Sequence, residues 1–394
     1  HKEAGKTVHD GIDEVREAVD FCRYYSKQAD LFSTQQFQGF SGSSQTMTRH
    51  GRGVFVCISP WNFPLAIFLG QISAALMAGN SVIAKPAEQT CLIAAKAFEL
   101  IKQAGFPDGV AQLLPGRGAD VGAALTTHAS IAGVAFTGST ETAHRINQSL
   151  AKRDSVPVPF IAETGGQNAM IVDSTALPEQ VVRDVIRSAF ASAGQRCSAL
   201  RVLFLQEDIA DRIIELIKGA MSELSVGLPY LHKTDVGPVI DSLAKEKLLN
   251  HIEEMKSSQI LIKELTLNHS CEDGHFVAPA AFEISGISVL KQEHFGPILH
   301  IVRFKAQDIG KVVDEINQTG FGLTMGVHSR NETTYRQIEK TIRVGNCYIN
   351  RDQVGAVVGV QPFGGQGLSG TGPKAGGPHY LYRFTQTQYQ RGDA

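Results

Sequence analysis

Short apolar runs alternate with longer segments of helical periodicity along most of this 394-residue chain, and this alternation constrains the fold more than any other feature. The runs have the length and composition of strands buried on both faces of a sheet. Strands are predicted at Val54–Ile58, Val82–Lys85, Gln112–Leu114, Val134–Phe136 and Phe160–Glu163, with helices at 64–79, 89–104, 118–127 and 140–152. Such β–α–β alternation predicts right-handed crossovers and a doubly wound parallel sheet.

A second α/β series begins after Asn168 and predicts a second domain with its own sheet. Its strands are predicted at 169–172, 200–205, 298–304 and 323–328, with helices at 178–193, 207–222, 241–256, 307–316 and 331–343. A surface helix is predicted over 10–30, and the polar, glycine-broken segment 31–50 indicates a hairpin. Residues 355–377 contain nine of the 39 glycines without helical periodicity, and a loop of that length is usually functional.

Charge and motif spacing narrow the possible partners. The 37 basic and 39 acidic side chains give a formal charge of −2, without the basic excess that nucleic acids or anionic membranes attract. The six cysteines and 13 histidines show no metal-ligand spacing, which predicts no metal site. The uncharged run from Gly53 to Ala84 is interrupted by prolines and polar residues, and it favours a buried sheet unit over a membrane span. We therefore expect a cytoplasmic protein with no nucleic-acid binding and no membrane insertion.

Cys197, in the sequence Gly-Gln-Arg-Cys-Ser, is a candidate nucleophile. A thiolate is the reactive form of cysteine, and a neighbouring cation such as Arg196 would favour it. By itself, a single cysteine is more often a small buried hydrophobic residue. The candidate therefore depends on the motifs around it.

Glu163 and Asn62 are candidates for the polar groups that such a nucleophile needs. Glu163 ends a buried strand and precedes Gly165 and Gly166, which would leave room for a substrate or cofactor. A strand-end carboxylate facing solvent is an equal alternative. The amide of Asn62 is fixed between two prolines at the carboxyl end of a strand, where it would suit an oxyanion, although it could equally stabilise the turn.

Two further motifs fit a dinucleotide. Lys85 and Glu88 follow a strand, and a carboxylate there can accept the hydroxyl groups of an adenosine ribose while disfavouring a 2′-phosphate. Gly138 and Ser139 connect a strand to a helix, whose free N–H groups would bind a pyrophosphate. The second motif is only a fragment of a dinucleotide fingerprint.

In order along the chain, the motifs PWNFP, KPAEQT, FTGST, E-x-GG, GQ-x-C and E-x-FGP resemble those of the aldehyde dehydrogenase superfamily. The last of them occurs as Glu293-His294-Phe295-Gly296-Pro297. The resemblance implies a Rossmann-type cofactor domain, an α/β catalytic domain and a small β oligomerisation flap. It also implies NAD as the cofactor and a reaction without a metal.

The same resemblance implies a role for each matching position. Cys197 would be the nucleophile and Glu163 the general base, while Asn62 and the backbone N–H of Cys197 would form the oxyanion hole. The thiolate adds to an aldehyde, hydride leaves for the nicotinamide, and water activated by Glu163 cleaves the thioester. The residues implied to bind NAD are Ser59, Pro60, Trp61, Lys85, Glu88, Gly118, Gly138, Ser139, Glu293 and Phe295.

Within the superfamily, the sequences ETGGQN and VVGVQPFGGQGLSGTGPKAGGP resemble the 1-pyrroline-5-carboxylate dehydrogenases, including the dehydrogenase module of the proline utilization A proteins. This implies oxidation of L-glutamate γ-semialdehyde to L-glutamate in proline catabolism. Backbone N–H groups of Gly355 and Ala356, with the Ser198 hydroxyl, would anchor the amino-acid end of that substrate. Phe63 and Phe363 would clamp its aliphatic part.

The domain organisation implied by the resemblance has three parts. Residues 1–31 and 51–163 would form an N-terminally truncated NAD-binding domain, 164–363 the catalytic domain, and 32–50 with 380–394 an oligomerisation hairpin and strand. A homodimer and a possible covalent or functional link to a proline dehydrogenase module are expected. Two alternatives remain open: a dehydrogenase for another small polar aldehyde, and a truncated non-catalytic scaffold of the same fold.

Overall fold

A computed structural model describes residues 1–38 and 44–391 of the chain. The chain forms two compact units, which we name by their largest sheets. The seven-stranded unit comprises His1–Asp13, Thr164–Ala356 and Gly364–Gly370. The five-stranded unit comprises Glu14–Glu163, Val357–Phe363 and Thr371–Ala394. Residues 39–43 of the predicted hairpin and residues 392–394 of the predicted final strand lie outside the described residues.

The helices of the described residues are α1 (Val8–Ser26), α2 (Ala66–Met77), α3 (Cys91–Gln103), α4 (Ala123–Thr127), α5 (Thr140–Ala151), α6 (Pro178–Phe190), α7 (Glu207–Ser222), α8 (Ser242–Ser258), α9 (Ile309–Gln318) and α10 (Glu332–Thr341). The strands are β1 (Gln35–Gln38), β2 (Ser44–Gly51), β3 (Val54–Ile58), β4 (Ser81–Lys85), β5 (Ala111–Leu113), β6 (Ile131–Thr137), β7 (Phe160–Glu163), β8 (Ala169–Val172), β9 (Val202–Gln206), β10 (Ile260–Glu264), β11 (Ala280–Glu283), β12 (Ile298–Phe304), β13 (Phe321–Gly322), β14 (Thr324–His328), β15 (Asn346–Ile349), β16 (Gln366–Gly367) and β17 (Thr385–Arg391). The predicted α/β alternation is therefore present in both series.

The main sheet of the five-stranded unit has the order β5-β4-β3-β6-β7, and all of its strands are parallel. Successive side chains of β3 enter different cores, because strand residues alternate between the two faces of a sheet. Phe55 and Cys57 pack in one core, while Val56 and Ile58 pack in the other. Burial on both faces explains why this strand is continuously apolar.

A three-stranded antiparallel sheet, in the order β1-β2-β17, also belongs to the five-stranded unit. The strand at the end of the described chain pairs with β2 over seven positions, from Thr385 opposite Gly51 to Arg391 opposite Gln45. The four residues of β1 are exposed. This arrangement matches the predicted pairing of the hairpin with the last strand; its role in oligomerisation stays a prediction.

The seven-stranded sheet has the order β10-β11-β12-β9-β8-β14-β15, with β10 antiparallel to β11 and the other neighbours parallel. All residues of β8, β9 and β14 are buried. The strands β10, β11 and β15 were not among the predicted ones, since their apolar runs are shorter or mixed with polar residues.

The division into units differs from the predicted domain boundaries at two places. The chain passes from one unit to the other between Glu163 and Thr164, as the predicted boundary has it, but His1–Asp13 groups with Thr164–Ala356. Val357–Phe363 groups with the five-stranded unit instead of the predicted catalytic domain. In both cases, contacts distant in sequence set the grouping. The functional assignment of the domains stays a prediction.

Candidate active site

The loop that carries Cys197 begins with three consecutive residues in the left-handed region. Helix α6 ends at Phe190, three residues before the predicted end, and φ is 53° at Ser192, 54° at Ala193 and 67° at Gly194. Residues with a Cβ rarely adopt this conformation, and such strain concentrates at functional sites. A Cβ at Gly194 would also collide with the carbonyl of Gly296. Close backbone packing therefore holds the loop in a costly conformation.

Four buried side chains bind the backbone carbonyls of this loop. The Asn168 amide donates to the carbonyls of Cys197 (2.6 Å) and Ala199 (3.0 Å). The carbonyl of Ser198 accepts from Gln353 Nε2 (3.2 Å) and Thr324 Oγ1 (3.3 Å). Because each donor is itself buried, the backbone on both sides of the half-buried thiol is fixed.

The fourth side chain is Arg201, whose guanidinium is almost fully buried. Its Nη1 donates to the carbonyl of Gly194 (2.7 Å), and its Nη2 donates to the carbonyl of Arg196 (3.1 Å). Sequence reasoning missed all four of these side chains. Arg201 alone gave a usable signal, since it is a charged residue at the start of the apolar run 200–205.

The guanidinium of Arg196 binds a side chain of the turn before Cys197, and its effect on the thiol stays a prediction. This guanidinium donates to Asp10 (Nη2 to Oδ1, 2.8 Å) and to the Ser192 hydroxyl (3.0 Å). Burial by itself would raise the pKa of Asp10. The net shift is downward, because the charges of Arg196 and Lys6 and the hydrogen bonds from Ser192 and Arg196 stabilise the carboxylate. Arg196 is therefore part of an ion pair that braces the left-handed turn.

Glu293 lies beside the same loop. Its Oε1 accepts from Arg201 Nη2 at 3.1 Å, and burial raises its pKa despite that charge. A Cβ at Gly165 would fall on the Glu293 carboxylate, and one at Gly166 would collide with Asn168. The two glycines were predicted to leave room for a substrate or cofactor. In the structure, the position of each added Cβ is occupied by a protein side chain, and room for a ligand beside this backbone stays a prediction.

Three histidines pack beside Arg201 in the seven-stranded unit. The rings of His251 and His294 stack with centroids 3.4 Å apart, and His251 Nε2 lies 2.9 Å from His300 Nε2. His300 Nδ1 lies 2.9 Å from the carbonyl oxygen of Arg201. Burial lowers the pKa of His251 to about 4 and those of His294 and His300 to about 3. These rings are therefore neutral at neutral pH.

In the five-stranded unit, the order of strands reverses between β3 and β6, and ligands bind parallel sheets at such a point. At this point Ser59 follows β3, and Gly138 and Ser139 follow β6. The Ser139 hydroxyl caps α5 by accepting a hydrogen bond from the Thr142 N–H at 3.2 Å. The hydroxyl of Ser59 is buried and has no hydrogen-bond partner among residues 1–38 and 44–391. An orphaned buried donor after β3, and a helix start after the neighbouring strand β6, fit a phosphate-bearing ligand.

The next strand, β4, presents a second set of groups that fits a nucleotide. Burial lowers the pKa of Lys85, against the opposing charge of Glu88, and the ammonium donates to the carbonyl of Pro86. Glu88 Oε2 accepts from the Gly118 N–H at 3.4 Å. A Cβ at Gly118 would meet nothing within 4 Å, so space for a ligand remains beside this carboxylate. These groups suit the hydroxyls of a ribose.

Glu163 ends β7, and its carbonyl accepts from the Gly138 N–H at 3.1 Å. Two groups of the same unit interact with its charge. Burial lowers the pKa of Lys374 while Glu163 opposes that shift, and burial, Tyr25 and Glu163 all raise the pKa of Tyr380. The β7 strand also bonds to Thr371, whose Oγ1 accepts from the Ala162 N–H at 2.9 Å.

The predicted substrate residues divide between the units. Arg196 Nη1 donates to the carbonyl of Val354 at 3.3 Å, and Gln353 donates to Ser198, so the segment leading to Gly355 and Ala356 is bonded to the cysteine loop. Phe363 pairs with Ala375 in the five-stranded unit. The predicted site residues in the seven-stranded unit are Cys197, Ser198, Glu293, Phe295, Gly355 and Ala356. Those in the five-stranded unit are Ser59, Pro60, Trp61, Asn62, Phe63, Lys85, Glu88, Gly118, Gly138, Ser139, Glu163 and Phe363.

Among residues 1–38 and 44–391, no helix is both long and apolar enough to cross a membrane. Within the same part of the chain, no group of three or more histidine, cysteine or acidic side chains could hold a metal ion.

The two α/β sheets, the clamped cysteine loop and the nucleotide-type strand ends define the fold and the candidate site. The chain belongs to the aldehyde dehydrogenase family, whose sequence profile matches residues 1–389. The predicted family and α/β fold are confirmed.

Among curated relatives, the bifunctional protein PutA of Klebsiella aerogenes is 54% identical over 399 residues, covering 99% of this chain and 29% of the relative. The 1-pyrroline-5-carboxylate dehydrogenase of Geobacillus thermodenitrificans strain NG80-2 is 37% identical over 393 residues, covering 98% of this chain and 76% of the relative. This chain thus spans less than a third of the PutA relative and about three quarters of the dehydrogenase.

A solved structure gives the same result for the fold. The 1-pyrroline-5-carboxylate dehydrogenase from Thermus with bound NAD superposes with a TM-score of 0.93 at 36% identity, covering 99% of this chain and 76% of that chain. The predicted dehydrogenase type agrees with the names of these relatives.

Proposed function

We propose that this chain catalyses the NAD-dependent oxidation of L-glutamate γ-semialdehyde to L-glutamate. The observation that carries the proposal is the cysteine loop, where Asn168, Arg201, Gln353 and Thr324 bind every backbone carbonyl from Arg196 to Ala199. A loop clamped to this degree suits a nucleophile that must meet a carbonyl carbon in a fixed geometry. The choice of substrate in this proposal is based on the relatives that are named 1-pyrroline-5-carboxylate dehydrogenase.

In the proposed reaction, the Cys197 thiolate attacks the aldehyde carbon, and the C=O electron pair moves to oxygen. The Asn62 amide and the Cys197 N–H donate to that oxyanion. NAD, when bound, supplies the acceptor for the hydride that leaves the carbon, and the cysteine is left as a thioester. Glu163 then takes a proton from water, whose oxygen attacks the thioester carbon; the C–S bond breaks, its electron pair regenerates the Cys197 thiolate, and the acid leaves.

The groups present fit NAD. Gly138 and Ser139, at the start of α5, would receive the pyrophosphate, together with the orphaned Ser59 hydroxyl. Lys85 and Glu88 would hold the adenine ribose, with Gly118 giving access. Glu293 would accept the hydroxyls of the nicotinamide ribose. Pro60, Trp61 and Phe295 are the remaining residues that we propose to contact NAD.

The substrate carries an α-carboxylate and an α-amine at the end away from the aldehyde. We assign the backbone N–H groups of Gly355 and Ala356, with the Ser198 hydroxyl, to these groups, because small residues let backbone donors approach a carboxylate. Phe63 and Phe363 would contact the aliphatic carbons. A homodimer, a link to a proline dehydrogenase module and a cytoplasmic location stay predictions.

The test compares NADH formation with L-glutamate γ-semialdehyde and with propanal, an aldehyde that has no amino-acid end. We expect kcat/KM to be at least ~100-fold higher for the semialdehyde, since a site that hydrogen-bonds a substrate group discriminates strongly against an analogue lacking that group. Cys197→Ser should abolish NADH formation, while Cys22→Ser, at an exposed thiol, should not change it. Equal use of both aldehydes would contradict the proposed substrate. Absence of NADH from the folded wild type would instead indicate a non-catalytic scaffold.

A further inference from the structure

Arg201 connects two segments of the seven-stranded unit that the proposed function assigns to different tasks. On one side, its guanidinium binds the carbonyls of Gly194 (2.7 Å) and Arg196 (3.1 Å), in the loop that carries the nucleophile. On the other side, it binds the carbonyl of Gly296 (3.3 Å) and the carboxylate of Glu293 (3.1 Å). The planar fork of arginine can make these four contacts at once, whereas the ammonium of a lysine cannot reproduce them.

The surroundings of Arg201 leave it little freedom to move. Its side chain is about 2% exposed, its Cζ lies 5.1 Å from the centre of the Phe295 ring, and its own carbonyl accepts from the backbone of His300. Its backbone N–H donates to the carbonyl of Asn168 at 2.9 Å. A displacement of Glu293 is therefore transmitted to the carbonyl groups of the cysteine loop instead of being absorbed by side-chain rotation.

Glu293 is held from its other side by backbone. A Cβ at Gly165 would fall on its second oxygen, and the N–H of Gly166 donates to the carboxylate. A ribose hydroxyl that binds Oε1 of Glu293 shares this oxygen with Arg201. That sharing changes the hydrogen bonds next to the Arg196 carbonyl, one residue before Cys197.

We propose that Arg201 is a positioning residue that couples occupancy of the nicotinamide-ribose site at Glu293 to the reactivity of Cys197. The inference rests on the proposed function, because it takes Glu293 as a cofactor group and Cys197 as the nucleophile. The coupling lies in one unit and needs no residue from the other. It predicts that cofactor and thiol are linked thermodynamically through one side chain.

The experiment measures the rate at which iodoacetamide alkylates Cys197, followed by mass spectrometry of its peptide, with and without saturating NAD. The ratio of the two rates reports the coupling. In the wild type we expect a ratio that departs from one by about fivefold or more, the usual lower range for coupled sites. In Arg201→Lys, which keeps the charge but loses the fork, the ratio should fall to within about twofold of one. NAD binding is measured separately by calorimetry, and full NAD saturation is confirmed for each variant.

Arg303→Lys is the matched control, since Arg303 is a partly buried arginine of the same unit that binds Glu283 and Asp211 away from the cysteine. It should keep the wild-type ratio even if it lowers stability. A merely structural role for Arg201 would lower both alkylation rates equally and leave their ratio unchanged, which would overturn the inference. A wild-type ratio of one, in an enzyme that binds NAD and forms NADH, would also overturn it. Failure to form NADH at all would contradict the proposed function instead.

Discussion

The cluster of His251, His294 and His300 should make the seven-stranded unit lose stability in mild acid. Burial is the largest cause that lowers the pKa values of the three rings to about 4, 3 and 3, from the ordinary value of 6.5. A folded-state pKa below the unfolded one means that the unfolded chain binds more protons. The cluster's contribution is therefore complete above about pH 6.5 and is lost progressively as the pH falls towards 3.

The size of the loss follows from these values. Near pH 5.5 the folded cluster still binds almost no protons, while each unfolded histidine is about 90% protonated. Between about pH 7.5 and pH 5.5, each ring then lowers the free energy of unfolding by roughly 1 kcal/mol, and the three together by a few kcal/mol. This is a large part of the ~5–15 kcal/mol that stabilises a typical domain.

Amide hydrogen exchange of β9 and β12, corrected for the intrinsic rate at each pH, measures the free energy of opening in this unit without assuming that the whole chain unfolds in one step. His300→Gln should reduce the pH-dependent loss by roughly 1 kcal/mol relative to the wild type. The control is His269→Gln, at a fully exposed ring, which should reproduce the wild-type pH dependence. If the His300 variant loses as much stability as the wild type, the neutral buried cluster does not explain acid sensitivity.

Two further predictions concern the active site. Gly165→Ala places a methyl group on the Glu293 carboxylate and should raise the KM for NAD by at least ~10-fold, whereas Gly219→Ala, a helix glycine with open space around it, should leave that KM unchanged in steady-state assays. Unchanged NAD affinity in the first variant would refute the close packing of Glu293. In stopped-flow assays, Glu163→Gln should give one burst of NADH and then stall at the thioester, while Cys197→Ser gives no burst. Loss of the burst in both variants would refute the division of roles between them.

The periodic pattern of the sequence predicted most of the fold because it depends on neighbours along the chain. The strands β3, β7 and β8 begin and end where the apolar runs do, since residues buried on both faces leave a continuous signal. Helix α6 shows the limit of that signal. Its apolar period continues past Phe190, but the backbone turns into the left-handed region because the loop packs against the carbonyl of Gly296.

For the site, the sequence determined which reactive groups are present, and the motif order identified the family. Cys197, Glu163 and Glu293 were found as residue types in short motifs, and a short motif is a local property. The tertiary structure decided what those residues contact. Arg196 pairs with Asp10, which is 186 positions away, and Arg201 reaches Glu293 across 92 positions. A buried polar group must be paired, but strand order and register select its partner, and no local pattern contains that choice.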